Sequence, residues 1–413
     1  MSNLKVLLLL ITLLFTGRVN SVTSGSRPTQ SAQTAPSSQT TPTVIPFELI
    51  NRHMVLQLRV NNSRPLSFVL DTGDQYAIID LERAKELKLN MVGQVQVGGA
   101  GASMQTGAFV RDASFVIEGF PKFTQPIAMA LPLGSLSPRM GRDFDGIIGS
   151  DFIKEFVVEI DYLAKVLRLH NKSTFSYSGP GDSIPIELVH GHPILEAQVT
   201  PVGSKTLSGK FVLDLGAGLA LALYSPFVRE HELLSESTRT IDSLGGAGAG
   251  GETTGRIGRV TELKIGNYRI KAPITLFSQD KAGAFATSSL AGNIGARIAM
   301  KFKVFLDYGR KRVILEPNST FEKSYDYSQS GISVVAENAD YRSFRIRNVL
   351  ENSPASEAGL KKDDVILSIN ERPATTFTLS QLNEMFELPV TYKLMVRRGE
   401  HNLKINLTPR PLI

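Results

Sequence analysis

The chain has no cysteine and no tryptophan among its 413 residues. Without thiols there are no disulfide staples, no thiolate zinc sites, no cysteine nucleophile and no lipid-modified N-terminal cysteine. Histidine is scarce. The six lie at positions 53, 170, 190, 192, 231 and 401, only His190 and His192 are close, and no H-E-x-x-H occurs. Neither a metal nor any other cofactor is expected. Basic charge never accumulates. The net charge is +6, the longest basic clusters are the pairs Lys361-Lys362 and Arg397-Arg398, and no basic stripe interleaves with aromatics. No nucleic-acid partner is expected. G-x-S-x-G and G-N-S-G-G are both missing, and Gly292-Asn293-Ile294-Gly295 has Ile where a serine nucleophile would stand. That excludes a serine triad.

Long apolar runs are confined to the N-terminus. Lys5 precedes an apolar stretch from Val6 to Phe15, and Val19-Asn20-Ser21 could serve as a cleavage site. Residues 1–21 read as a signal peptide, too short for a stable membrane span, which implies an exported protein, periplasmic or extracellular. Residues 22–44 are rich in Ser, Thr, Gln and Pro and read as a disordered linker.

An internal repeat follows. Phe68-Val69-Leu70-Asp71-Thr72-Gly73 recurs as Phe211-Val212-Leu213-Asp214-Leu215-Gly216, and Gly98-Gly99-Ala100-Gly101-Ala102 recurs letter for letter at 245–249. Gly146-Ile147-Ile148-Gly149 recurs as Gly292-Asn293-Ile294-Gly295, and the Asp161-Tyr162 pair as Asp307-Tyr308. From each aspartate the glycine run begins after 27 and 31 positions, the G-x-I-G motif after 75 and 78, and the Asp-Tyr pair after 90 and 93. The order and intervals define a duplicated unit of mostly β pattern. Two lobes are expected, at 45–175 and 183–318. The run Gly246 to Gly251 also satisfies G-x-G-x-x-G, but no βαβ pattern surrounds it, so a nucleotide site is not expected.

An aspartate on a tight glycine turn after a buried strand presents its carboxylate where two lobes can meet. If Asp71 and Asp214 face each other, they cannot both ionise; one holds a proton while the other activates water. The motifs resemble the retropepsin-like aspartic peptidases. That resemblance implies a mainly β chain of two tandem acid-protease lobes forming a pseudo-dimer, monomeric as a catalytic unit and acting on polypeptide. It makes Asp71 and Asp214 catalytic, with Thr72, Gly73, Leu215 and Gly216 supporting the dyad loops. Gly98, Gly99, Gly101, Gly245, Gly246 and Gly248 become flap residues over the substrate cleft. Two positions depart from the pattern. Leu215 lacks the hydroxyl that would brace the loops, and Asp74 puts a third carboxylate where a small residue is usual. Asp74 either crowds the dyad or points outward to a surface Arg or Lys. Asp145, Asp151, Asp161 and Asp307 read as turn and capping residues.

The C-terminal segment has a different signature. Ser353-Pro354-Ala355 opens a short helix that Gly359 closes, Val365–Ile369 is a strand, and Leu379 to Phe386 is an amphipathic helix. The run Asn352 to Leu360 followed by Asp363 to Asn370 resembles the bacterial type of PDZ domain, placed at 328–413. The resemblance implies capture of a C-terminal peptide on Gly331, Ile332 and Ser333 by strand addition. Two functions remain open: an aspartic endopeptidase, or a peptide-binding adaptor whose lobes are inactive.

Overall fold

The computed structural model describes residues 41–117, 123–234, 238–244, 246–248, 250–325 and 330–413. The signal-peptide stretch, most of the linker before residue 45, and Gly245 lie outside them. Among the described residues no helix is long and apolar enough to cross a membrane. The chain is mostly β, as the alternating sequence pattern leads one to expect.

Each half of the repeat builds the same strand arrangement around its aspartate. In the first, Leu66–Leu70 runs into Asp71 and pairs in parallel with Gly146–Ile148. Gly146–Ile148 pairs on its other side, antiparallel, with Ile78–Asp80, which lies parallel to Phe123–Leu131. In the second, Leu207–Asp214 pairs in parallel with Gly292–Gly295, which is antiparallel to Leu221–Leu223, itself parallel to Ile274–Ser278. The G-x-I-G strand must be apolar and narrow because it is flanked on both sides. A Cβ at Gly146 would come 2.3 Å from the Ile78 carbonyl oxygen, and one at Gly292 would come 1.9 Å from that of Ala222.

The two halves share one further sheet of six strands. In it Val157–Asp161 from the first half pairs antiparallel with Phe302–Asp307 from the second, Val158 opposite Leu306 and Ile160 opposite Val304. Thr43–Pro46 and Asp182–Pro185 close its edges. One continuous apolar core runs through both halves, from Phe68 and Phe115 to Phe211 and Phe302. The aspartates that read as structural are so. Asp145 is buried, accepts from Ser67 N and pairs with Arg83. Asp307 is buried, caps Arg310 N and pairs with Arg310 and Arg312. Asp151 pairs with Lys154, and Asp161 accepts from Ala164 N.

The C-terminal domain has its own core around Phe344, Ile346, Leu382 and Leu394. Ser353 caps the helix Pro354–Glu357 in a reciprocal box with Ser356, with Pro at the first turn as expected. Tyr392–Arg398 and His401–Leu407 form an antiparallel hairpin at one end of its sheet.

Candidate active site

Both aspartates stand at the ends of their strands, held by the G-x-I-G strand beside them; Asp71 N donates to the Ile148 carbonyl at 3.0 Å. The turns bring the two carboxyl groups together: a Cβ built on Gly73 would lie 2.9 Å from Asp214 Oδ1 and 3.0 Å from Asp71 Oδ1. Gly73 N donates to Asp71 Oδ1 at 2.6 Å, and Ala217 N donates to Asp214 Oδ1 at 2.9 Å. Each turn glycine lies against the opposite aspartate. A Cβ at Gly216 would sit 1.9 Å from the Asp71 carboxyl, and one at Gly73 would sit 2.9 Å from Asp214 Oδ1. No side chain can replace either hydrogen without pushing the pair apart.

Burial raises the Asp71 pKa, offset in part by hydrogen bonds from Gly73, Asp214 and Gly216. Burial and the neighbouring charge of Asp71 raise Asp214 well above the ordinary carboxylate range. The protons belong to the pair rather than to either residue, and the pair keeps one to higher pH than an isolated carboxyl would.

Only one half of the brace between the loops is built from side chains. Thr72 Oγ1 donates to the Leu213 carbonyl at 2.5 Å and accepts from Leu215 N at 2.9 Å. Thr72 is fully buried. Leu215, in the equivalent place, is also fully buried and packs in the core shared by the halves. The missing hydroxyl is thus replaced by apolar packing. Thr72→Val should orphan two buried backbone groups, at about 1–3 kcal/mol each, and lower the urea midpoint accordingly. An unchanged midpoint would mean the bridge contributes nothing to the fold.

Two histidines that sequence reasoning passed over also join the loops. His53 opens the strand His53–Val60, and its ring faces the Gly216 backbone of the opposite loop. His192 opens His192–Thr200 and faces the Thr72 backbone in turn. Burial pulls the His53 pKa down to about 4, so the ring is neutral above that pH, and burial lowers His192 as well. They precede Asp71 and Asp214 by 18 and 22 positions, a repeat that the sequence did contain. Asn293 was also missed. It stands where the first half has Ile147, accepts from Tyr224 OH, and donates from Nδ2 to Asp214 Oδ2 at 2.7 Å. Asp214 therefore has a side-chain amide donor that Asp71 does not.

Asp74 does not point outward to a surface cation. It lines the same cleft as Asp71 and Asp214, and no ion pair involves it among the described residues. Burial and the Asp71 charge raise its pKa well above the ordinary value.

The cleft has a volume of about 610 Å³ and is bounded above by Gly99, Ala100, Gly246 and Gly248. The two glycine runs meet over it, backbone to backbone. Ser103 N donates to the Gly250 carbonyl at 2.8 Å, and a Cβ at Gly101, where φ is +97°, would lie 2.3 Å from that oxygen. Gly98 stands at the foot of its run, against Met104. The structure thus gathers Asp71, Asp214, Gly73, Gly216, Gly99, Gly246 and Gly248 in one cavity, with Thr72 and Leu215 in the layer beneath. Gly331, Ile332 and Ser333 lie apart, in the C-terminal domain. No cluster able to hold a metal ion occurs among the described residues.

Comparison with known proteins matches two segments of the chain. The family model described as aspartyl protease matches residues 56–152, and that of the PDZ domain matches residues 318–396. The chain carries a retropepsin-like aspartyl protease domain and a C-terminal PDZ domain. The aspartyl protease match covers Asp71 and its loop but not Asp214, Leu215 or Asn293. Serine protease HTRA1 of Xenopus laevis is 36% identical over 67 residues, which is 16% of this chain and 14% of that protein. Among solved structures, Basic 7S globulin from soybean aligns with a TM-score of 0.42 at 10% identity, covering 68% of this chain and 95% of that one.

Proposed function

We propose that the chain is an aspartic endopeptidase acting on extended polypeptide, its two halves working as a pseudo-dimer and its PDZ domain binding a substrate or partner peptide. The convergence of the Asp71 and Asp214 carboxyls at the base of a glycine-roofed cleft carries this reading. The pair holds one proton. The ionised member takes a proton from a water molecule, which attacks the scissile carbonyl, and the protonated member hydrogen-bonds the developing oxyanion. The proton then passes to the leaving amine. Asn293 and Ala217 N hold Asp214 in place, and Gly73 N holds Asp71. The apolar N-terminal run supports an exported protein, which would meet its substrates outside the cytoplasm.

The half-built brace and the third carboxylate favour a second reading, an inactive peptide-binding adaptor. Cleavage of an unfolded protein, followed from about pH 3 to pH 8 with and without a transition-state-mimicking aspartic peptidase inhibitor, separates the two. The peptidase reading expects inhibitor-sensitive cleavage with an alkaline limb above the ordinary carboxylate range. It also expects specific activity independent of protein concentration. No inhibitor-sensitive cleavage at any pH would leave the adaptor.

A further inference from the structure

The peptide groove of a PDZ domain lies between an edge strand and a helix, where an incoming strand completes the sheet. Here the edge strand is Ile332–Glu337, which among the described residues has Ser343–Val349 as its one strand neighbour, and the facing helix is Leu379–Met385. That space is already taken. The helix Ser137–Met140 of the protease half packs directly on Ile332–Glu337. The next residue, Gly141, meets the facing helix: at its φ of +71° a Cβ would come 2.7 Å from Leu379 Cβ. Tyr341 OH donates to Asp143 Oδ1 at 3.2 Å from the end of the same segment.

A second contact locks the arrangement. Asn51 N donates to Ser380 Oγ at 3.4 Å, Asn383 Nδ2 donates to Asn51 Oδ1 at 3.0 Å, and Arg52 pairs with Glu387. Asn51 Nδ2 donates to the Arg139 carbonyl at 3.1 Å, tying this turn to the groove-filling helix. Asn51 and Arg52 immediately precede His53. The strand next to the groove's edge strand holds the roof of the cleft. Arg347 Nη2 and Asn348 Nδ2 both donate to the Leu244 carbonyl, at 3.1 and 3.0 Å. Glu252 pairs with Arg347 at 3.4 Å and with Arg139 of the groove-filling helix at 3.1 Å.

We propose that the PDZ groove is closed by this chain's own segment 137–143, and that a peptide with a free C-terminal carboxylate competes with that segment for it. Displacement withdraws Arg347, Asn348 and Arg139 from Leu244 and Glu252, so occupancy of the groove governs the hold on the second glycine hairpin. The groove and the hairpin are both read from contacts; that the hairpin covers a working cleft rests on the peptidase reading.

A charge swap tests this on the full chain. Glu387→Arg sets two guanidinium groups against each other, and Arg52→Glu combined with Glu387→Arg restores the pair in reverse. Hydrogen–deuterium exchange is expected to speed up by about tenfold or more in Ile332–Glu337 and around Leu244 and Glu252 in the single variant, and to return in the double. Exchange unchanged in Glu387→Arg overturns the docking. The competition is read with a labelled library of octapeptides that end in four randomised residues and a free carboxylate. Capture by Glu387→Arg should exceed capture by the parent protein about tenfold, and by no more than the parent in the swap; no gain in the single variant overturns it. Hydrolysis of a fluorogenic peptide is followed in parallel and should rise in Glu387→Arg. If no form of the protein hydrolyses the peptide, the peptidase reading fails while exchange and capture still decide the groove.

Discussion

Asp214→Asn is expected to abolish peptide hydrolysis, by about 10² to 10⁴-fold or more, without unfolding the protein. An amide at 214 can neither hold the shared proton nor accept one. Asp71 would be left to ionise alone, with no partner to polarise the scissile carbonyl. Asp71→Asn should behave in the same way, because one water must be held by both. Stability should move in the opposite direction from activity. Burial and the charge of Asp71 raise the Asp214 pKa in the folded chain. The folded state therefore binds more protons than the unfolded one between the unfolded and folded pKa values. Stability from this group is fully present below the unfolded value and is lost as pH rises through the folded value. An asparagine does not titrate, so Asp214→Asn should match the parent near pH 3 and melt at equal or higher temperature near pH 8. Retained activity with the same pH profile would show that the second half is not catalytic, and that two chains must pair through their first halves.

Asp74→Ala should shift the alkaline limb of the pH–rate profile to lower pH. Asp74 lines the cleft with the dyad; the Asp71 charge raises the Asp74 pKa, and the Asp74 charge raises that of Asp214. Once ionised, Asp74 holds the proton on the dyad. At an effective dielectric of about 20 and a separation of about 6 Å, the interaction is roughly 3 kcal/mol, or about 2 pKa units, before screening. Solvent in the cleft reduces this. The same substitution removes a carboxyl whose folded pKa is raised, so stability should rise near pH 8 and stay unchanged well below pH 4. An unmoved alkaline limb with a raised melting temperature would mean that Asp74 strains the fold but does not reach the dyad.

Much of this architecture was legible because it is written twice. Two aspartates followed by glycine runs and G-x-I-G strands at matching intervals define two equal halves before any coordinates exist. The PDZ caps were legible because Ser353, Pro354 and Gly359 act within a few residues of themselves. What escaped notice depends on contacts across the midline. His53 and His192 each sit at the start of a strand that reads as ordinary alternation; their role appears only when the opposite loop arrives. Asn293 looked like a worn copy of Ile147, although its amide supports Asp214. Leu215 looked like a defect, yet Thr72 alone makes both bonds across the loops. The closing of the PDZ groove had no local signature at all, since residues 137–143 and 379–387 are joined only by the fold.

The sheet shared by the halves has a consequence for how the chain could be divided. Val157–Asp161 and Phe302–Asp307 hydrogen-bond to each other in the middle of that sheet, and each half supplies three of its six strands. A half made alone would expose the inner edge of its three-strand ribbon, with the apolar face of Val158 and Ile160 or of Val304 and Leu306 uncovered. Such an edge has one obvious complement, another copy of the same ribbon. Cleavage of the backbone between His170 and Asp182 should therefore leave a nicked protein whose pieces stay together, and the two pieces made separately should find each other. The geometry that makes one chain self-sufficient is also a ready means of complementation between fragments.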